Sequence, residues 1–70
     1  MDRIFIRPLA LPARVHAVTV TDENGDFNVY VNTQICSALQ EDACVHELRH
    51  IRLQHFYDHE PVIINELLAH

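Results

Sequence analysis

Apolar and polar residues alternate twice along the first half of this chain. From Arg14 to Thr21, "RVHAVTVT" sets Val15, Ala17 and Thr19 on one side against His16, Val18 and Val20 on the other. From Phe27, "FNVYVN" sets Phe27, Val29 and Val31 against Asn28, Tyr30 and Asn32. A period of two is the mark of a β-strand with one buried face. Between the two runs lies "DENGD", whose Asn24-Gly25 tolerates the positive φ of a type I′ turn, so the segment predicts a β-hairpin. Before it, "RIFIRP" is short, and Pro8 forces Arg7 into extended geometry, which predicts an edge strand or an N-terminal arm.

The period then changes. Ser37 with Gln40 three residues on has the form of a capping box, and predicts a helix from there to about His55 or Phe56. At 100° per residue, Leu39, Ala43, His46, His50 and Leu53 share one face, with Cys44, Leu48, Ile51 and His55 roughly opposite. Apolar residues on both faces predict cover on both sides. After the loop "YDHE", Asp58 or Glu60 can cap a second helix, "PVIINELLAH", whose first turn accepts Pro61. The expectation is one α+β domain over residues 1–70: an antiparallel hairpin or small sheet packed on one helix and a C-terminal helix.

Composition narrows the class. Seventy residues that are 49% hydrophobic, with one Gly and three Pro, describe a folding chain with a core so small that a metal, disulfide or partner subunit is often recruited to support it. The formal charge is −5 and all five basic residues are arginines scattered from Arg3 to Arg52, which argues against a nucleic-acid surface. Cys36 and Cys44 match no metal-binding or redox spacing and read as free thiols in a reducing cytosol. "PLALPA" is too short and too broken by proline for an export signal, and no run approaches a membrane span, so a cytoplasmic location is expected.

The chemistry lies in "VHELRHIRLQHF", Val45 to Phe56. His46 and His50, one helical turn apart, can aim both imidazoles at one zinc ion, and Glu47, about 100° round the helix, can reach a water bound to it. That is the donor set of a hydrolytic zinc site, where the glutamate takes and returns the water proton. A chain of this composition matches the three fixed positions by chance only roughly one time in thirty, and the match falls on a predicted helix. His55 is nine residues past His46 and so about 180° away on a continuous helix, which excludes it as the third ligand. The longer H-E-x-x-H-x-x-G-x-x-H pattern fails as well, because Leu53 and Phe56 stand where Gly and His are needed. Glu66 is the favoured third ligand: sixteen residues past His50 leave room for a loop and a turn and a half of returning helix. Asp58, His59 and Glu60 are the alternatives.

"HELRH" followed by "NELLAH" resembles the gluzincin arrangement, in which a glutamate on the following helix completes the H-E-x-x-H pair. More narrowly, the hairpin ending in "VYVN", the H-E-x-x-H helix and the later glutamate are similar to ImmA/IrrE-like metallopeptidases, over roughly Ala17 to His70. Arg49 departs from the Gly usual before the second His. The resemblance implies a minimal zincin-like core with His46, His50 and Glu66 on zinc and Glu47 as general base. It also implies an edge strand, "FNVYVN", on which an extended peptide substrate would pair. An oxyanion calls for a donor besides zinc, and Tyr57 and His59 in the loop are the candidates, set against the commoner reading of each as a packing residue. The expected function is zinc-dependent hydrolysis of peptide bonds. The alternative is a non-catalytic interaction protein that keeps the zinc as a staple, with a homodimer built on the hairpin edge.

Overall fold

The computed structural model describes residues 3–54 and 62–68. Four strands and one α-helix follow the order β1 (Arg3–Leu9), β2 (Ala17–Thr21), β3 (Phe27–Asn32), α1 (Ser37–Gln54), β4 (Val62–Asn65), and a short 3-10 turn, Glu66–Leu68, follows β4. The sheet order is β2-β3-β1-β4. β2 and β3 form the expected antiparallel hairpin, while β1 lies parallel to β3 on one side and to β4 on the other. The class is therefore α+β with a mixed sheet.

The alternation of β3 is used in full. Phe27, Val29 and Val31 are buried, join Ile4 and Ile6 of β1, and meet Ile51 of α1, with Ala17, Cys44, Leu48 and Leu67 packed around them. Each such side chain contributes about 1.5–3 kcal/mol by leaving water. One helix thus covers one face of the sheet. The other face carries Arg3, Phe5 and Arg7 beside Asn28 and Tyr30, and no described element covers it. No helix among the described residues is long and apolar enough to cross a membrane.

Four expectations change. The expected C-terminal helix is instead β4 and a 3-10 turn, because the β-branched run Val62, Ile63, Ile64 pairs with Arg3, Ile4 and Phe5 at the far end of the chain. β1 is central rather than an edge, and Pro8 is tolerated there. The Leu9 carbonyl accepts from Thr33 on the β3 side, so the position of Pro8 points the other way, beyond Ile6, the last residue paired with β4. β3 is internal too, so among the described residues the edge strand of the hairpin is β2. Lastly, among the described residues α1 is covered on one face only: Leu39 and Leu53, expected on a packed face, are exposed.

The turn and the helix start differ in detail. Gly25 has φ 79° and is the only described residue with positive φ. Its N–H donates to the Asp22 carbonyl, and the Asp22 N–H donates to the Asp26 carbonyl. Three residues rather than two therefore connect the strands, a geometry that needs one left-handed residue and not the pair of a type I′ turn. At the helix start, the Gln40 N–H donates to the Cys36 carbonyl and its side-chain amide to the Ile35 carbonyl, so Gln40 braces the turn before the helix instead of closing a box on Ser37.

Candidate functional site

His46, Glu47 and His50 come together on the flank of α1 that overhangs β2. Glu47 belongs to the buried stripe that also carries Ala43 and Ile51, and its half-buried carboxylate meets the sheet. There Oε1 accepts a hydrogen bond from the Thr19 hydroxyl at 3.2 Å. The two histidines stand further out and are exposed. Their rings meet edge to face with centroids 4.5 Å apart, and the two Nε2 atoms are 3.0 Å apart. At that distance one ring can donate a hydrogen bond to the other.

The same geometry suits a shared ion. Two nitrogens held by one tetrahedral metal at ~2.0–2.1 Å each are roughly 3.3–3.4 Å apart, so the imidazoles need to open by only a few tenths of an ångström. The pair would supply two ligands. Among the described residues no group of three or more His, Cys, Asp or Glu forms a metal-holding set.

Glu66 lies elsewhere. Its Oε1 and Oε2 accept from Arg7 Nη1 at 3.2 and 3.1 Å, and Arg7 also donates through Nε to Asn28 Oδ1. Arg7 and Asn28 occupy the sheet face opposite α1, so the carboxylate of Glu66 is turned away from the histidine pair. Because β4 replaces the returning helix, the geometry that was expected to carry Glu66 to His46 and His50 is absent. Asp58, His59 and Glu60, the alternative ligands, lie outside the described residues, as do His55 and Tyr57.

Two contiguous grooves run along β2 under the overhanging helix. One, of about 530 Å³, is walled by Arg14 and His16 on the strand side and Asp42 and His46 on the helix. The other, of about 380 Å³, lies between Thr19 and Thr21 on one side and His50 and Ile51 on the other. Ala17 and Glu47 line both, which places Glu47 at the middle of one trough. Arg14, His16, Asp42 and Thr19 are additions that sequence spacing does not reveal; only the alternation that puts Thr19 with Val15 and Ala17 hinted at its face.

The wall carrying Arg14 and His16 is fixed by Asn32, which is fully buried. Its Oδ1 accepts from the Leu11 and Gln34 N–H groups, and its Nδ2 donates to the Pro12 and Val15 carbonyls. That uses both donors and both acceptor directions of the amide. Cys44, on the far flank of α1, is half-buried, and burial pushes its thiol up, which leaves it a packing residue rather than a nucleophile.

No known family matches this chain, no curated protein is significantly similar to it, and no solved structure shares its fold at a significant level.

Proposed function

We propose that this protein is a zinc-dependent metallopeptidase with a zincin-like site, in which His46 and His50 hold the metal and Glu47 is the general base. The observation that carries the reading is the convergence of two Nε2 atoms 3.0 Å apart with a glutamate anchored beside them by Thr19. When bound, the ion would acidify a water and polarise the scissile carbonyl. Thr19 restricts the Glu47 carboxylate through Oε1 and leaves Oε2 to take the water proton and return it to the leaving amine. Glu66 as third ligand belongs to this proposal only in a state where Arg7 has released it and residues 62–68 have repacked.

The trough suits an extended peptide. In the β2–β3 ladder, the Asn32 N–H donates to the His16 carbonyl and the Asp22 N–H to the Asp26 carbonyl, so residues 16, 18, 20 and 22 point their backbone groups at β3. Ala17, Thr19 and Thr21 therefore aim theirs outward, where among the described residues no strand lies. A substrate strand pairing there would bring its backbone past Glu47. The edge role first assigned to "FNVYVN" moves to "AVTVT". The test is cleavage of a peptide library followed by mass spectrometry: Glu47→Gln should abolish cleavage while zinc stays bound, and loss of zinc from that variant would undo the assigned role.

The second reading, a non-catalytic interaction protein with a zinc staple, is favoured by one specific observation: Glu66 is held by Arg7 on the other sheet face. Four protein donors on the bound zinc would support it; three donors and a water support catalysis.

A further inference from the structure

We propose that two copies of this chain pair through β2, antiparallel about a two-fold axis at Thr19, to form one continuous eight-stranded sheet. The edge strand "AVTVT" contains no charged residue and no proline, the usual means by which an exposed edge is kept from pairing. Its outward backbone groups belong to Ala17, Thr19 and Thr21, three residues symmetric about Thr19. An antiparallel copy in that register sets Thr19 against Thr19 and Ala17 against Thr21, exchanging about six backbone hydrogen bonds.

The side chains agree with the same register. On the sheet face opposite α1 Val18 would meet Val20 of the second copy, and these valines are 38% and 48% exposed in one chain. One step beyond the strand ends His16 would stand opposite Asp22 of the second copy, and the turns that follow carry Arg14 at one end of the strand and Glu23 at the other. The end carrying Arg14 and His16 thus meets the acidic end of its mate, and no like charges oppose each other. A parallel pairing would place each end against itself. The strand that pairs is the one that borders the trough, so the dimer closes the backbone edge that a peptide would use. This consequence for substrate rests on the proposed peptidase reading, whereas the dimer itself does not.

Sedimentation equilibrium over a dilution series, with amide hydrogen exchange on the same samples, tests the pairing in zinc and in EDTA. The mass should rise with concentration towards twice the 8.1 kDa of one chain, equally with and without metal. The amides of Ala17, Thr19 and Thr21 should gain protection as it does, while those of Val18 and Val20, bonded to β3, stay protected throughout. V18K/V20K should be monomeric, because each Lys then faces a Lys. V18K/V20E should dimerise in a salt-sensitive way, because Lys then faces Glu. A monomer at every concentration, a dimer lost in EDTA, or protection that does not follow the 17, 19, 21 pattern would overturn the proposal. If V18K/V20K fails to fold, the exchange pattern of the unaltered chain still decides.

Discussion

Arg7 Nη1 holds both carboxylate oxygens of Glu66, at 3.2 and 3.1 Å, across 59 residues of sequence. Both partners are partly exposed, so the pair itself contributes only about 0–1 kcal/mol to stability. Its larger consequence is for the proposed metal site. If Glu66 is the third ligand, Arg7 competes with the ion for it: Arg7→Ala should raise zinc affinity and Glu66→Ala should lower it more than tenfold, with Glu60→Ala as the control. Titration calorimetry reads all three. Unchanged affinity in both the Arg7 and Glu66 variants would remove Glu66 from the site.

Asn32 is a costly polar side chain to lose. Asn32→Ala leaves two N–H groups and two carbonyls without the partner they share, at about 1–3 kcal/mol for each one that stays buried and unsatisfied. The expected loss in urea unfolding is about 3 kcal/mol, with faster amide exchange at Val15. Asn32→Asp should not rescue it, since two donors become acceptors that face carbonyls. A loss below about 1 kcal/mol would mean that water replaces the amide.

The hairpin turn should weaken in acid. Partial desolvation, the largest single influence on Asp22, raises its carboxyl, but hydrogen bonds from the Asp26 and Asn24 N–H groups and the Asn28 amide, with Arg3 nearby, outweigh it and hold the group below its ordinary range. A depressed folded-state pKa stabilises above the unfolded value, ~3.9, and that contribution is lost as the pH falls through the folded value. Comparison of Asp22→Asn with the unaltered chain should therefore show a stability difference at pH 6 that shrinks towards pH 2. A constant difference would assign the effect to the turn's shape instead.

The hairpin and α1 were legible because their signals are local: alternation at period two, a glycine-bearing turn, and a helical run holding the histidines at i and i+4. β4 was not, because "VIINELL" carries leucine and glutamate that favour a helix, and its choice is made by β1, some sixty residues away. The same distance hid the partner of Glu66. His46, Glu47 and His50 could be placed from spacing alone, but Thr19 could not, since its contact with Glu47 depends on how helix and sheet cross.

Joint metal binding by His46 and His50, as proposed, is read by the zinc content of the protein after purification and dialysis against trace zinc. One zinc per chain is expected in the unaltered protein and in Glu47→Gln, and none in either His46→Ala or His50→Ala. Zinc retained by both histidine variants, or none in the unaltered chain, would contradict it.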